Sequence, residues 1–587
     1  MLQTALQHLK TYFGYDTFRT GQSQVIENVL QNKDTLVIMP TGGGKSLCYQ
    51  IPALCLEGTT LVISPLISLM KDQVDMLVAS GIPAAYINSS LSYEEVQDVM
   101  YRVRSGQIKL LYIAPERLEN ERFCMELSQI RVPLLAIDEA HCISQWGHDF
   151  RPSYRSIQQL LHLWEVKPTV IALTATATEE VSADIQGLLS IDKEDTFVTG
   201  FARENLKFSV LLGENKEAYI KKYVKANQNE AGIIYAATRK SVESVYEMLH
   251  KSGIAVAKYH GGMFEEDRTY EQNRFLNDEV QIMVATNAFG MGINKTNVRF
   301  VIHYNMPRNM ESYYQEAGRA GRDGLESECI LLYSSSDEQT QRFLIDQAQD
   351  RSRIPLELTK LHTMIDYCHT ERCLQSYIVE YFGDLESANC GKCANCTDER
   401  PQQDVTTDAQ KVLSCIVRMG QKFGKQLTAS VLAGSRSKKV LDFNFHKLPT
   451  YGILRTMNAK EIANFIEFLI AEKLIVVGNG QFPILAISDL GKEVLLGKHT
   501  IYRKEARIIQ STVEPNDPLF EELRRIRKEI ADREKVPPFV VFSDKSLKDM
   551  CTRRPKNSAQ FLEVSGVGES KLEKYGKTFI DAIISHT

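Results

Sequence analysis

The sequence lacks the features that mark membrane-spanning and secreted proteins. It contains no run of about eighteen apolar residues, so no membrane span is expected. Its first residues lack the basic start, apolar stretch and small-residue cleavage site of a secretion signal. We therefore expect a cytoplasmic protein whose 12 cysteines are thiols or metal ligands rather than disulfides.

A strong compositional bias is also absent. The 587 residues are 43% hydrophobic and 24% charged, which excludes a disordered or fibrous chain and predicts several domains. The net charge of -5 by itself argues against a nucleic-acid partner. Residues 405–512, however, hold 16 Lys/Arg against 8 Asp/Glu. This local excess suits contacts with phosphates, and it equally suits a solvated, slightly basic domain.

Short apolar runs alternate with helical stretches over the first 335 residues. Such runs are typical of strands buried on both faces of a parallel sheet. We predict two α/β lobes in tandem, at residues 1–200 and 201–335, each with helices flanking its sheet. The predicted strands are residues 35–39, 61–64, 110–114, 134–138 and 170–174 in the first lobe, and 232–236, 256–260, 282–285, 300–304 and 329–333 in the second.

A glycine-rich loop follows the first predicted strand, and an apolar helical stretch follows the loop. Its glycines leave backbone N–H groups free to surround an anion at the helix N-terminus. Lys45 can reach the β- and γ-phosphates of ATP, and the Ser46 hydroxyl can bind Mg²⁺. Met39 stands where the usual phosphate-loop pattern has its first glycine, so a glycine-rich structural turn is the alternative. The predicted phosphate-binding residues are Thr41, Gly42, Gly43, Gly44, Lys45 and Ser46.

The sequence Asp138-Glu139-Ala140-His141 follows another apolar run. Two carboxylates at the carboxyl edge of a parallel sheet would lie beside the phosphate loop. Asp138 can then hold Mg²⁺, and Glu139 can orient and deprotonate the attacking water. Acidic residues that merely cap a strand are common, but the pairing with the phosphate loop favours an ATPase.

Asp-Glu-Ala-His, with Thr174-Ala175-Thr176-Ala177 downstream, resembles the core of superfamily 2 helicases. The resemblance implies that His141 belongs to the catalytic set. In the second lobe, Arg319 and Arg322 are three residues apart, so on a helix both would project to one face as paired arginine fingers. Gln315, one turn earlier, can help to place water. The alternative is a surface helix with salt bridges.

Two further segments resemble RecQ helicases more narrowly. Residues 13–22 resemble the adenine-reading motif, which implies that Tyr15 stacks on the base, Gln22 bonds its edge and Arg19 meets the nucleotide. The other such segment is the aromatic loop described next, whereas residues 285–294 resemble the segment of superfamily 2 helicases that links nucleotide state to the bound strand.

Residues 143–154 resemble the aromatic-rich loop of RecQ. Trp146 and Phe150 offer faces on which bases of a single strand can stack, and His148 and Arg151 offer polar contacts. The chain has only two tryptophans, and one in a polar loop is hard to explain by packing. We expect this loop to sense the strand and to permit hydrolysis.

Four cysteines, Cys373, Cys390, Cys393 and Cys396, have the spacing C-x16-C-x2-C-x2-C. Four thiolates favour structural Zn²⁺, and an iron–sulfur cluster is the chemical alternative. Cys368 competes with Cys373 as the first ligand. The resemblance to the RecQ zinc module implies Cys373.

The remaining chain is predicted to be helical, with one hairpin. Residues 336–404 would form the zinc module, and residues 405–512 a winged helix whose hairpin turns at Asn479-Gly480. That domain is a candidate for duplex binding, or for protein interaction. A linker at 514–518 leads to residues 516–587, which resemble the all-α HRDC domain. There Gly566 and Gly568 can expose N–H groups to a phosphate or let helices pack closely.

The resemblance to RecQ covers nearly the whole chain, in order. It implies ATP- and Mg²⁺-dependent unwinding with 3′→5′ polarity in recombination, repair and the SOS response. The implied partners are single-stranded and forked duplex DNA, single-strand-binding protein and other repair proteins. It further implies a monomer at the nucleoid, away from membranes. An RNA helicase of the Asp-Glu-Ala-His group and a duplex translocase or DNA-binding scaffold that does not unwind are the alternatives.

Overall fold

The first 200 residues, here called lobe 1, form one parallel sheet covered by helices. The computed structural model describes residues 1–290, 295–347, 350–385, 388–478, 483–504 and 518–586. The strands of lobe 1 are β1 Thr35–Ile38, β2 Thr60–Ile63, β3 Ala84–Ile87, β4 Leu110–Ile113, β5 Leu134–Ile137, β6 Thr169–Thr174 and β7 Thr196–Val198. They lie in the order β3-β4-β2-β5-β6-β1-β7, and every pair is parallel.

The five strands predicted for lobe 1 are confirmed, and β3 and β7 were missed. Both lie at the edges of the sheet. The three-residue strand β7 is partly exposed and lacks the apolar run of a central strand, whereas the sequence of β3 is continuously apolar and could have been predicted. The helices of lobe 1 are α1 Leu2–His8, α2 Gln22–Leu30, α3 Leu47–Cys55, α4 Ile67–Ala79, α5 Tyr93–Arg104, α6 Glu121–Ser128, α7 Ser156–Leu161 and α8 Glu179–Leu189.

Residues 201–335, here called lobe 2, contain a second parallel sheet. Its strands are β8 Leu206–Leu212, β9 Ala231–Tyr235, β10 Val256–Tyr259, β11 Ile282–Ala285, β12 Val298–His303 and β13 Ser327–Tyr333, in the order β10-β11-β9-β12-β13-β8. The predicted strands are confirmed. The missed strand β8 is an edge strand in which buried and exposed residues alternate. The helices are α9 Lys216–Ala226, α10 Arg239–His250, α11 Glu265–Leu276 and α12 Met310–Ala317, and α13 Ser335–Asp346 begins at the last residue of the lobe and continues beyond it.

The strand order of lobe 1 brings the sequence motifs together. Strand β6 pairs with β1 on one side and with β5 on the other. The phosphate loop follows β1 and the acidic pair follows β5, so their starting points are two strands apart at one sheet edge. Thr174, the last residue of β6, lies between them, and its Oγ1 is 2.9 Å from His141 Nδ1.

Helices and one hairpin follow lobe 2, as predicted. The cysteine module contains α14 Ile354–His369 and α15 Leu374–Tyr381. The basic domain contains α16 Thr406–Arg418, α17 Lys425–Leu432, α18 Lys438–Asp442, α19 Ala459–Ala471, the antiparallel strands β15 Ile475–Val477 and β16 Leu485–Ile487, and α20 Asp489–Leu495. Strands β14 Gln402–Asp404 and β17 Tyr502–Lys504 pair where the chain enters and leaves this domain. The predicted Asn479-Gly480 turn lies outside the described residues.

The C-terminal bundle contacts both lobes. Its helices are α21 Pro518–Glu534, α22 Pro538–Val541, α23 Asp544–Arg553, α24 Ser558–Leu562, α25 Glu569–Lys571 and α26 Lys577–Ser585. Lys528 Nζ donates to the carbonyl oxygen of Asp278 in lobe 2 at 3.0 Å. In lobe 1, a Cβ on Gly14 would lie 2.9 Å from the backbone nitrogen of Gly568. Gly568 therefore allows close packing. The linker predicted at 514–518 lies almost wholly outside the described residues.

Two glycine-to-alanine changes test the packing of the lobes. Gly232 in β9 faces the Phe300 ring so closely that a Cβ would overlap it, whereas a Cβ on Gly187 in α8 meets nothing within 4 Å. We expect Gly232→Ala to destabilise lobe 2 by about 1–3 kcal/mol, because a buried ring must move. We expect Gly187→Ala to stabilise lobe 1 by about 0.5–1 kcal/mol, because alanine loses less backbone conformational entropy than glycine when the chain folds into a helix.

Scanning calorimetry provides the measurement, since each change shifts the transition of the lobe that carries it. Equal shifts in the same direction for the two variants would contradict the packing at Gly232.

Candidate active site

A cavity of about 360 Å³ lies between the two lobes and collects most of the predicted site residues. Side chains from both lobes line it, so the site is complete only when the lobes are together. The predicted residues on its wall are Tyr15, Arg19, Gln22, Thr41, Gly42, Gly44, Lys45, Ser46, Asp138, Glu139, Gln315, Arg319 and Arg322.

The phosphate loop has the backbone that only glycine adopts easily. Gly42 and Gly44 have φ values of +82° and +87°. A Cβ on Gly43 would lie 2.9 Å from the carbonyl oxygen of Pro40, so this position also requires glycine. The Lys45 ammonium donates to the carbonyl oxygen of Met39 at 3.2 Å. Burial lowers the pKa of Lys45, and the carboxylates of Glu139 and Asp138 oppose that shift.

The acidic pair lies beside Lys45, as predicted. Glu139 has a left-handed backbone, with φ of 48°, and its N–H donates to Asp138 Oδ1 at 3.0 Å. The Tyr154 hydroxyl donates to the carbonyl oxygen of Asp138 at 2.9 Å. Burial and then the nearby Glu139 carboxylate raise the pKa of Asp138 to about 7. The half-buried Asp138 carboxylate and the Ser46 hydroxyl line the same cavity, and together they are an oxygen donor set that fits Mg²⁺.

The arginine pair reaches the cavity, but not on a helix. Helix α12 ends at Ala317, and Gly321 has a left-handed φ of 58°, so the prediction that Arg319 and Arg322 share a helical face is wrong. Successive turns bring both guanidinium groups to the cavity instead. Burial, then Arg319 and then Arg203, lower the pKa of Arg322 to about 9. Guanidinium groups crowded in one buried place favour an anion between them.

Arg203 was missed by the sequence analysis. Its guanidinium donates to the carbonyl oxygens of Gly318 at 3.3 Å, Ala320 at 3.2 Å and Gly321 at 3.0 Å, and to that of Thr41 in the phosphate loop. It therefore joins the phosphate loop to the arginine turns. A single arginine outside any motif gives no signal in one sequence.

The adenine motif is tied to the phosphate loop. Gln22 is buried; its Oε1 accepts from the N–H of Arg19 at 2.8 Å, and its Nε2 donates to the carbonyl oxygen of Gly44 at 3.1 Å. Arg19 Nη1 donates to the carbonyl oxygen of Gly42 at 2.5 Å. Tyr15 is 39% exposed at the cavity, which leaves a ring face available. Reading of adenine by Tyr15 and Gln22 stays a prediction.

The predicted residues of the aromatic loop, residues 143–154, differ in their exposure and in their contacts. Trp146 is 51% exposed, so its ring is free to stack on a base. Phe150 lies under the guanidinium groups of Arg155, 5.3 Å from the ring centre, and Arg353, at 5.9 Å. Arg151 is bonded to the carbonyl oxygen of Pro65 at 2.9 Å and pairs with Asp149 at 3.2 Å.

His148 does not lie where a strand would reach its polar atoms. Both of its ring nitrogens are buried, and its ring stacks on His141 at 4.4 Å. Burial lowers the pKa of each of these histidines to about 4, so both rings are neutral. His148 thus connects the aromatic loop to the Asp-Glu-Ala-His motif, and the prediction of a direct polar contact with DNA is not supported for it.

The four predicted cysteines come together. Their sulfur atoms all lie within 4.8 Å of one another, and Cys373 Sγ is 3.9 Å from Cys393 Sγ. Tetrahedral zinc with bonds of about 2.3 Å requires sulfurs about 3.8 Å apart, so the arrangement fits the ion. Cys373 precedes α15 and accepts from the N–H of Cys390 at 3.3 Å. Cys368 is buried in α14, outside this group.

Models of known protein families match five consecutive segments of the chain. The DEAD/DEAH box helicase model matches residues 19–184, and the helicase conserved C-terminal domain matches residues 215–324. These two matches identify an ATP-hydrolysing helicase motor. Three further family models match the segments that follow the motor: RecQ zinc-binding at 335–397, the RQC domain at 399–511 and the HRDC domain at 516–583.

The full-length relatives narrow the class to one family. The chain is 55% identical to the ATP-dependent DNA helicase RecQ of Bacillus subtilis, over 99% of both chains. It is 41% identical to that of Haemophilus influenzae, over 99% of this chain and 96% of the relative. The chain belongs to the RecQ family and is an ATP-dependent DNA helicase with a zinc-binding domain. Among the described residues, no helix is long and apolar enough to cross a membrane.

Matched cysteine variants test the metal ligands. We expect Cys373→Ala to lose most of its bound zinc, because three thiolates leave a structural site open. We expect Cys368→Ala to retain zinc, because this cysteine lies outside the sulfur cluster. Elemental analysis of the purified variants gives the zinc content per chain. Zinc loss in Cys368→Ala with retention in Cys373→Ala would reverse the assignment.

Proposed function

We propose that this helicase unwinds forked duplex DNA by moving 3′→5′ along one strand, and that the cavity between its lobes hydrolyses the ATP that drives this movement. The observation that carries the proposal is the composition of the cavity wall. Lobe 1 contributes Lys45 and two carboxylates, and lobe 2 contributes two arginines. Hydrolysis then depends on the relative position of the lobes, which is what a motor requires.

The residues of the cavity divide the chemistry between them. Lys45 and the N–H groups of the phosphate loop hold the β- and γ-phosphates. Ser46 and Asp138 would hold Mg²⁺, which neutralises charge on the phosphates when bound. Glu139 orients the attacking water and takes its proton, and Gln315 helps to place that water. His141 links the acidic pair to Thr174.

Two arginines from lobe 2 act on the transition state of hydrolysis. Arg319 and Arg322 stabilise the charge that develops on the transferred phosphoryl group, as arginine fingers do. The arginine cluster supports this role because its mutual repulsion is relieved by an anion in the cavity. Tyr15 stacks on adenine and Gln22 reads its edge when the nucleotide is bound.

The aromatic loop senses single-stranded DNA. Trp146, together with Phe150 and Arg151, contacts the strand, and stacking on the exposed indole ring supplies the main interaction. The contact between His148 and His141 supports communication from this loop to the acidic pair. The basic domain, with its 16 Lys/Arg against 8 Asp/Glu over residues 405–512, holds the duplex through its phosphates.

We further propose the setting in which the protein acts. The protein would act as a monomer at the nucleoid, in recombination, repair and the SOS response. Membership of the RecQ family supports the role in recombination and repair. Single-strand-binding protein is the partner expected there, because it covers the strands that a helicase exposes.

Replacement of the exposed tryptophan tests strand sensing. We expect Trp146→Ala to lower the DNA-stimulated ATPase rate by about tenfold, far more than the basal rate, because one base–aromatic stack contributes ~1–3 kcal/mol. The control is Tyr101→Ala, which removes another exposed aromatic of lobe 1 on α5. ATP hydrolysis is measured with and without single-stranded DNA. Equal losses in basal and stimulated rates would contradict the proposed role.

Forked substrates test the direction of movement. We expect unwinding of a duplex with a 3′ single-stranded tail and little unwinding of one with a 5′ tail, because a 3′→5′ motor must load on the 3′ strand. Strand separation is followed by fluorescence, with ATP and Mg²⁺. Equal activity on both tails would overturn the polarity, and ATP hydrolysis without unwinding of either would indicate a translocase.

A further inference from the structure

The backbone of the aromatic loop is held by side chains from the first helix of the cysteine module. Lys360 Nζ, in α14, donates to the carbonyl oxygen of Trp146 at 3.0 Å. Arg353, directly before α14, donates through Nη2 to the carbonyl oxygen of Gly147 at 2.6 Å. The Trp146 ring is exposed while its backbone is clamped, so a base that moves the ring must act on these two contacts.

Lys360 also contacts lobe 2. Its ammonium is 2.6 Å from Glu311 Oε1, and the side chains of this ion pair are only 10% and 3% exposed. Glu311 lies on α12, one helical turn before Gln315, and the turns that carry Arg319 and Arg322 follow this helix. One ammonium group therefore joins the strand-sensing loop of lobe 1 to the helix that leads to the arginine pair.

The contacts around the aromatic loop leave it little room to move independently of its neighbours. A Cβ on Gly147 would overlap the carbonyl oxygen of His141, and the His148 ring already stacks on the His141 ring. A displacement of the Trp146 backbone consequently has two routes. One leads through His148 to the acidic pair, and the other through Lys360 to α12.

We propose that Lys360 is a positioning residue that transmits strand binding at the aromatic loop to the arginine pair, through its ion pair with Glu311. The proposal rests on the role of Trp146 proposed above. Lys360 is not among the residues that line the cavity, and its carboxylate partner is Glu311 rather than Asp138 or Glu139. It fixes α12 relative to the loop, so that the guanidinium groups meet the phosphates when the loop holds a strand.

Replacement of Lys360 by methionine keeps the length of the side chain and removes its charge and donors. We expect Lys360→Met to lower the rate of ATP hydrolysis at saturating single-stranded DNA, relative to the basal rate, by about fivefold to tenfold, because a charge-assisted hydrogen bond is lost. We expect the Kd for single-stranded DNA to change by less than about threefold, because no base or phosphate contact is removed. Lys360→Arg retains a donor and a charge and should recover part of the stimulation.

Lys216 provides a matched control. It forms an ion pair of similar burial, 2.7 Å from Asp337, and donates to the carbonyl oxygen of Tyr304 at 2.6 Å, within lobe 2 and away from the aromatic loop. We expect Lys216→Met to lower the melting temperature as Lys360→Met does and to leave DNA stimulation unchanged. Glu311→Gln should lower stimulation, and its effect should not add to that of Lys360→Met, because both break the same contact.

The outcomes separate this proposal from the one on which it rests. Loss of stimulation in both Trp146→Ala and Lys360→Met, with Lys216→Met normal, supports the relay. Loss in Trp146→Ala alone overturns the relay and leaves strand sensing intact. Normal stimulation in Trp146→Ala overturns strand sensing itself. A parallel fall of basal and stimulated rates in Lys360→Met makes Lys360 structural and also overturns the relay.

Discussion

The buried arginines between the lobes are the constraint on which the rest of the structure depends. Arg319 and Arg322 bring like charges to the wall of the cavity, and Arg203 adds a third charge nearby, which is unfavourable unless an anion is bound. Lobe 1 alone can hold phosphates, and lobe 2 alone can present cations. Only the closed arrangement matches the two. The repulsion among the guanidinium groups therefore couples the distance between the lobes to the charge of the bound nucleotide.

The same constraint explains why so many contacts around the cavity use backbone carbonyl oxygens. Arg203 reaches carbonyls in the phosphate loop and in the arginine turns, and Arg19 reaches a carbonyl of the phosphate loop. A carbonyl oxygen accepts a charged donor without adding a second formal charge, so these contacts fix geometry without disturbing the electrostatics of the site. Loops that must move a short distance together are thereby linked by single side chains.

The sequence predicted the chemistry better than the geometry. A strand, three glycines and a lysine specify a phosphate loop locally, and three cysteines at two-residue spacing specify a metal site. The choice of Cys373 over Cys368 as the remaining ligand needed the resemblance to RecQ. The central strands were predictable because burial on both faces leaves continuous apolar runs. Strands β7 and β8 lie at sheet edges and lack that pattern, whereas the edge strand β3 has it and was missed nonetheless. The expected helix through Arg319 and Arg322 was wrong because α12 ends at Ala317, and the left-handed Gly321 prevents helical geometry between the two arginines.

Arg203 and Lys360 could not be predicted, because each acts on a partner far away in the chain. The bond from Arg203 to Thr41 spans 162 residues, and that from Lys360 to Trp146 spans 214. No local pattern records such a contact, and a carbonyl acceptor leaves no trace in the identity of the partner residue. The parts that bind ATP and zinc were therefore predictable from the sequence. The single side chains that connect distant loops to one another, such as Arg203 and Lys360, were not.

The interface between the C-terminal bundle and lobe 2 differs from the cavity between the lobes in how its charges are neutralised. Asp278 of lobe 2 pairs with Lys295 of the same lobe at 2.5 Å, and Arg527 of the bundle approaches the same carboxylate only to 3.9 Å. Arg527 has its own carboxylate at 2.7 Å, Asp544 of the bundle. Each side thus keeps its buried charge neutralised without the other. An interface built in this way adds contacts to two units that are already electrostatically complete, whereas the cavity between the lobes is complete only when they meet.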